Sequence, residues 1–243
     1  MNETVLRVTS NKKIALNTYL MKLDGDCSAV TVPGQFVNIS LSGFYLRRPI
    51  SVCDYTSDSV TLIYKVVGGG TALMSELQPG AKLNVLTGLG NGYDDTLSGG
   101  RPLLVGGGAG VPPLYSLAKK LTAQGKKVMI ILGFNTADEV FGEEEFRETG
   151  AEVFLTTVDG SAGTKGFVTD VMKELDYTYF YTCGPMPMLR AVDGIAVTDG
   201  QFSFEERMGC GFGACMGCSC KTKYGYKRIC RDGPVLKREE IVW

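Results

Sequence analysis

The sequence predicts a β plus α/β protein: an antiparallel β-barrel, then an open parallel α/β domain, then a small cysteine-rich lobe. Three observations carry that expectation. Short alternating apolar runs fill residues 1–97. From Arg101 onward, apolar strands alternate with helix-period segments. Five of the eight cysteines fall between positions 210 and 230, where an even spread would put fewer than one. The expected boundaries are 1–97, 98–198 and 199–243.

In the first segment, residues 5–8, 18–23, 36–41 and 60–67 alternate as half-buried strands do. Pro33-Gly34 and Pro79-Gly80 punctuate them. Many short strands at close spacing read as an antiparallel barrel. One helical stretch, 71–77, opens at Gly68-Gly69-Gly70. Arg47-Arg48-Pro49-Ile50-Ser51 follows a barrel strand. A guanidinium and a hydroxyl on a rigid extended segment suit a phosphate-bearing ligand. The alternative is a solvated surface pair.

The period changes at residues 102–105, a short apolar strand followed by Gly106-Gly107-Gly108-Ala109-Gly110. A helix is expected from Val111-Pro112-Pro113 through Leu121. Strand, glycine turn and helix together place a pyrophosphate on a helix N-terminus. Val111 stands where the usual fingerprint has its third glycine, so tight packing without a ligand would also account for the turn. Residues 126–133 read as a strand, Glu143–Glu148 as a helix, Glu152–Thr157 as a strand and 167–175 as a helix. A strand over 177–182 ends at Cys183-Gly184-Pro185. Carboxyl ends of such strands line the ligand crevice, so Cys183 either touches a nicotinamide ring or caps the strand. No Arg or Lys falls within 133–139, and Asp138-Glu139 closes that stretch. A 2′-phosphate finds no cation there, so NADH is expected over NADPH.

The last segment reads Cys210-x4-Cys215-x2-Cys218, with Cys230 beyond. This is the plant-type [2Fe–2S] spacing. Small residues across 209–218 let backbone N–H groups turn toward sulfur. The alternative is zinc held by four cysteines, which usually shows two C-x2-C pairs; here only Cys215/Cys218 forms one. Cys220 is expected to pack beside the cluster, and Cys27 and Cys53 to be buried as small apolar residues.

Composition narrows the chemistry further. The chain of 243 residues has no histidine. That removes Ser-His-Asp and Cys-His catalysis, HExxH motifs and His-ligated zinc or haem. A net charge of -1 without a basic run argues against nucleic acid. No apolar run is long enough to span a membrane. Residues 1–10 lack a signal-peptide core, so a cytoplasmic location is expected.

Taken in order, Arg48-Pro49-Ile50-Ser51, Gly68-Gly69-Gly70-Thr71, Gly106-Gly107-Gly108-Ala109-Gly110-Val111-Pro112 and Cys183-Gly184-Pro185 resemble the ferredoxin–NADP reductase superfamily. Glu205-Glu206-Arg207-Met208 before the cysteine loop, and Cys230-x-Asp232-Gly233-Pro234-Val235 after it, narrow the resemblance. The chain is similar, over essentially its whole length, to the electron-transfer subunits of NAD-dependent dihydroorotate dehydrogenases. The resemblance implies FAD on Arg48, Pro49, Ile50 and Ser51. Ile63, Tyr64 and Lys65 would line the flavin, and Gly70 and Thr71 would meet its pyrophosphate. NAD(H) would lie on Gly106, Gly107, Gly108, Gly110, Cys183, Gly184 and Pro185. Cys210, Cys215, Cys218 and Cys230 would hold a [2Fe–2S] cluster, with Cys220 the rival for the fourth place. No catalytic side chain is expected. NADH delivers a hydride, a cluster takes single electrons, and a flavin joins the two.

The implied partner is an FMN-containing dihydroorotate dehydrogenase catalytic subunit of pyrimidine (UMP) biosynthesis. The pair would assemble as a heterotetramer of two plus two, with Phe212 and Met216 at the interface. One rival reading is a reductase component of the same superfamily serving a hydroxylase, hydrogenase or ferredoxin. Another is a zinc-stapled nucleotide-binding module without redox activity.

Overall fold

The computed structural model describes residues 1–243. Its first part comprises β1 (Asn2–Ala15), β2 (Thr18–Asp24), β3 (Phe36–Ile39), β4 (Arg48–Tyr55), β5 (Ser59–Lys65), α1 (Gly69–Glu76) and β6 (Lys82–Leu89). The six strands close an antiparallel barrel in the order β1-β2-β5-β4-β3-β6. Period-two alternation sends Leu6, Val8, Met21, Leu23, Leu62 and Val85 into its core. At β3 the two faces divide. Val37 and Ile39 fill the barrel, while Phe36 packs outside it in a different core. Met74 of α1 is buried in the barrel core, and Asn11 Nδ2 donates to the carbonyls of Met74 and Leu77 at 2.9 and 3.0 Å. Two carbonyls at the end of α1 are thereby satisfied. Pro49 lacks a ladder N–H, yet sits inside β4. It pairs with Asn38 on one side, and pairing with β5 begins only at Val52.

The second part comprises β7 (Pro102–Gly107), α2 (Tyr115–Ala123), β8 (Met129–Phe134), α3 (Glu143–Glu148), β9 (Glu152–Thr157), β10 (Thr164–Lys165), α4 (Val168–Met172), β11 (Tyr179–Cys183), α5 (Met186–Ile195) and β12 (Gly200–Ser203). Beyond it lie β13 (Ser219–Thr222), β14 (Gly225–Arg228), α6 (Ile229–Asp232) and β15 (Val235–Lys237). A seven-stranded sheet runs β10-β9-β8-β7-β11-β12-β15. Its pairs are parallel except β12 with β15. Both faces of its central strands are covered, so β7, β8 and β11 are buried along almost their whole length, while edge strand β10 (Thr164–Lys165) is polar and exposed. Leu103, Val105, Met129 and Ile131 pack with α4 and α5; Leu104, Ile130 and Leu132 pack with α2. Chain order reverses at β7, which lies between β8 and β11.

The helix expected from Val111 begins later. Two 3₁₀ turns, Gly108–Gly110 and Pro112–Leu114, precede α2. Adjacent prolines supply no N–H, and the tighter turn accommodates them. Segment 199–243 contributes β12 and β15 to the same sheet as 98–198, so residues 204–234 leave that sheet and return to it. Cys218, Ile229 and Cys230 of this excursion pack in one core with Phe36 and Phe202. No helix is long and apolar enough to cross a membrane.

Candidate functional site

A cleft of about 220 Å³ opens between the barrel and the sheet. Pro49, Ile50 and Ser51 of β4 and Ile63 and Tyr64 of β5 form its barrel side. Ala109 of the glycine turn faces them. The remaining wall comes from Phe36, Ser203, Phe204, Glu205, Glu206, Met208 and Pro234. Tyr64 is fixed from behind: its hydroxyl donates to Asn11 Oδ1 at 3.0 Å, and its ring stacks on Tyr19 at 5.9 Å. Burial pushes that hydroxyl up to about 12, so it stays protonated. Partial desolvation at the cleft wall also raises the Glu205 carboxyl from its ordinary value, although the residue as a whole is exposed.

Arg48 and Lys65 lie elsewhere. The Arg48 guanidinium stands 4.5 Å from the Phe44 ring centroid and crosses Gly70. A Cβ on Gly70 would meet Arg48 Nε at 2.1 Å, so any larger residue there would push the guanidinium off the helix N-terminus. Thr71 Oγ1 accepts from the N–H groups of Val67 and Gly68 at 3.0 and 3.2 Å, ordering the start of α1. A cation at the N-terminus of an eight-residue helix suits a pyrophosphate. Beside it, a flat wall of Pro49, Ile50, Ile63 and Tyr64 suits an aromatic ring system. These residues fit a flavin dinucleotide. The Lys65 amine instead pairs with Glu139 Oε1 at 2.7 Å across the barrel–sheet boundary.

The glycine turn and the end of β11 are pressed together. Cys183 pairs in register with Gly106 of β7. A Cβ on Gly110 would lie 2.2 Å from the Cys183 carbonyl oxygen, and one on Gly107 would lie 2.5 Å from Met188 Sδ. Gly108 differs: its φ is +51° and nothing lies within 4 Å of its missing Cβ, leaving its backbone open. Pro185 precedes α5 as its N-cap. Cys183 itself is 2% exposed and does not line the cleft. Burial, then the charge of Glu205, pushes its thiol up to about 12. It is a neutral thiol at neutral pH.

In the cysteine lobe, backbone N–H groups point at sulfur. Cys210 Sγ accepts from Ala214 and Cys215 at 3.2 and 3.4 Å. Cys215 Sγ accepts from Cys210 and Gly217, both at 3.5 Å. Cys218 Sγ accepts from Cys230 at 3.4 Å. Gly211, Gly213 and Met216 take left-handed φ values of +79°, +92° and +59° to wrap this loop. Burial opposes ionisation of Cys210, but N–H donors from Cys215, Phe212 and Ala214 outweigh it and hold the thiol near 6. Cys230 moves oppositely, to about 12, through burial and the neighbouring Cys218.

The four thiols thus form two neighbouring pairs, Cys210 with Cys215 and Cys218 with Cys230. No three His, Cys, Asp or Glu side chains converge as donors to a single ion. Two soft thiol pairs supplied with N–H···S bonds fit a binuclear iron–sulfur cluster. Cys220, on β13 opposite Lys227, packs at the margin of the core below. Arg228 ties the lobe together, with Nη1 donating to Gly213 O at 3.1 Å and Nε to Asp232 at 3.1 Å.

The resemblance assigned nine residues to the flavin; of these Pro49, Ile50, Ser51, Ile63 and Tyr64 line the cleft, whereas Arg48, Lys65, Gly70 and Thr71 do not, and sequence reasoning stopped there. It missed Phe36, Glu205, Met208 and Pro234, which reach the cleft from distant parts of the chain. The motif Glu205-Glu206-Arg207-Met208 was the available signal for two of them.

Comparison with known proteins accords with this geometry. A family model for the iron–sulfur cluster binding domain of dihydroorotate dehydrogenase B matches residues 205–242, and one for an oxidoreductase NAD-binding domain matches residues 104–194. The chain is 46% identical over 250 residues to the dihydroorotate dehydrogenase B (NAD(+)) electron transfer subunit of Fusobacterium nucleatum, covering 96% of each chain. Among solved structures, an NADH-dependent reduced ferredoxin-NADP oxidoreductase aligns with a TM-score of 0.89 at 30% identity, over 99% of this chain and 90% of that one. A ferredoxin NADP+ reductase from Neisseria gonorrhoeae with bound FAD and NADP shares the fold, with a TM-score of 0.69 at 16% identity, over 79% and 89%.

Proposed function

The chain belongs to the electron transfer subunits of NAD(+)-dependent dihydroorotate dehydrogenase B, and from that membership we propose which of its residues carry electrons from NADH toward the catalytic subunit. The family works in pyrimidine biosynthesis with NAD(H), FAD and a [2Fe–2S] cluster. When bound, the flavin exchanges an electron pair with the nicotinamide and single electrons with the cluster.

Pro49, Ile50, Ile63 and Tyr64 hold the flavin ring in the cleft, with Ser51 as a polar contact. Arg48, Gly70 and the N-terminus of α1 take its pyrophosphate. Gly106, Gly107, Gly108 and Gly110 with Cys183, Gly184 and Pro185 form the nicotinamide nucleotide site at the switch point of the sheet. Cys183 shapes that site from beneath and stays protonated. Cys210 with Cys215, and Cys218 with Cys230, supply the four thiolates. Histidine is dispensable because no side-chain acid, base or nucleophile is needed. All eight cysteines are free, which suits a reducing compartment such as the cytoplasm. The partner is an FMN-bearing catalytic subunit, in an assembly of two chains of each kind.

The observation that most supports this reading is the shared wall. Phe36 lines the cleft and packs in one core with Cys218 and Cys230. The test is an anaerobic absorbance spectrum before and after stoichiometric NADH, with iron and zinc measured on the same sample. Flavin and iron–sulfur bands that bleach, at about two irons per chain, are expected. A colourless zinc protein after anaerobic reconstitution would overturn the reading. NADPH bleaching as fast as NADH would overturn the nucleotide preference.

A further inference from the structure

Asn38 is an unusual residue for the middle of a barrel strand. It is 1% exposed, and its Oδ1 is buried with no hydrogen-bond partner. A buried acceptor left unpaired costs stability, and an apolar residue would fill the same place without that cost. The other end of the amide accounts for its presence. Asn38 Nδ2 donates to the carbonyl of Cys210 at 3.1 Å. The cysteine loop lies directly on this amide, because a Cβ on Gly211 would stand 2.3 Å from Nδ2.

The strand beneath is itself braced. Arg47 Nη1 donates to the carbonyls of Asn38 and Asn84, each at 3.3 Å, while Nη2 pairs with Glu3 at 3.0 Å. Across the β3–β4 ladder, Asn38 is paired with Pro49, which lines the cleft. Two residues before it, Phe36 reaches both the cleft and the core that holds Cys218 and Cys230.

We propose that Asn38 is a positioning residue that clamps the first cluster-ligand loop to the barrel strand bordering the flavin cleft. Phe36 serves the Cys218 and Cys230 side of the lobe, and Asn38 serves the Cys210 side. Together they fix the spacing between the cleft and both thiol pairs. Transfer of an electron between two fixed centres falls steeply with their separation, so a loop that drifts from β3 slows delivery without altering the ligands. The proposal rests on the flavin and cluster assignments above.

The test uses the full chain, prepared anaerobically with its cofactors. Asn38→Leu keeps the bulk without the amide, and Asn38→Asp keeps the shape without the donor. The readouts are the electron paramagnetic resonance spectrum of the reduced cluster and amide hydrogen exchange across residues 209–215. Each variant should raise exchange in that loop by about tenfold and shift or broaden the resonance, with iron per chain retained. Wild-type exchange and an unchanged spectrum in a folded variant would overturn the clamp. Should neither variant fold, Asn38→Ser decides: its hydroxyl is too short to reach the Cys210 carbonyl, so the clamp requires faster exchange at 209–215 in it, and wild-type exchange would overturn the clamp. Absence of flavin or iron from the wild type defeats the site assignment; unchanged variants in a fully loaded chain defeat the clamp alone.

Discussion

Cys220 and Cys230 show how position decides the role of a thiol. Both lie within reach of the cysteine loop in sequence, and spacing alone leaves either as the fourth ligand. In the fold, Cys230 is buried beside Cys218 at the start of α6, while Cys220 sits on β13 facing Lys227. Cys230→Ser should lose most of the bound iron and its visible absorbance; Cys220→Ser should keep both. Iron per chain measures the difference, and the opposite result would exchange the two assignments. The loop cysteines were legible because ligand spacing is local. Phe36 and Asn38 were not, because nothing near β3 in the chain announces contact with residues 170 or more positions away.

At the scale of elements, alternation revealed β1, β2, β3 and β5, and the change of period revealed the α/β sheet. β6 was hidden, and β4 was read only as an extended segment over 47–51. β4 opens with Arg-Pro, and β6 breaks its pattern at Thr87-Gly88, so neither shows a clean two-residue period. Lys65 illustrates the cost of reading an element in isolation. It ends β5 pointing toward Glu139, in the turn after β8, and this pair joins the barrel to the sheet. The hydrogen bond from Lys65, reinforced by Asn135, holds the Glu139 carboxyl below its ordinary value despite its burial. A depressed carboxyl contributes stability above its unfolded pKa and loses it as pH falls through the folded one. Glu139→Gln should therefore melt earlier at pH 7, by the equivalent of about 0.5–1 kcal/mol for a part-buried pair. The difference should vanish as pH drops below the carboxylate range. Parallel melting curves at every pH would remove the pair from the account of domain docking.

At the scale of the whole molecule, the lobe projects Phe212 and Met216, which are 42% and 60% exposed beside the thiol pairs. Apolar side chains at such a tip suit the centre of a protein interface. Phe212→Asp or Met216→Asp should weaken assembly with the catalytic subunit while leaving cofactor content intact. Gel filtration of the mixed subunits measures this, and unchanged elution would place the interface elsewhere.

The excursion over residues 204–234 also has a thermodynamic consequence. Phe204, Glu205, Glu206 and Met208 at its start, and Pro234 at its end, form part of the cleft wall, while its middle carries the thiol pairs. Whatever fills the cleft and whatever gathers the thiols stabilise the same fold of one segment. Their affinities must then be coupled, and the coupling is reciprocal: iron strengthens flavin binding by the factor with which flavin strengthens retention of iron. Flavin titrated into an iron-stripped chain should bind more weakly than into the loaded one. Equal affinities would mean that the wall stands unaided. Reciprocity also sets a hazard: where the two affinities are coupled, oxidative loss of either group weakens retention of the other by that same factor.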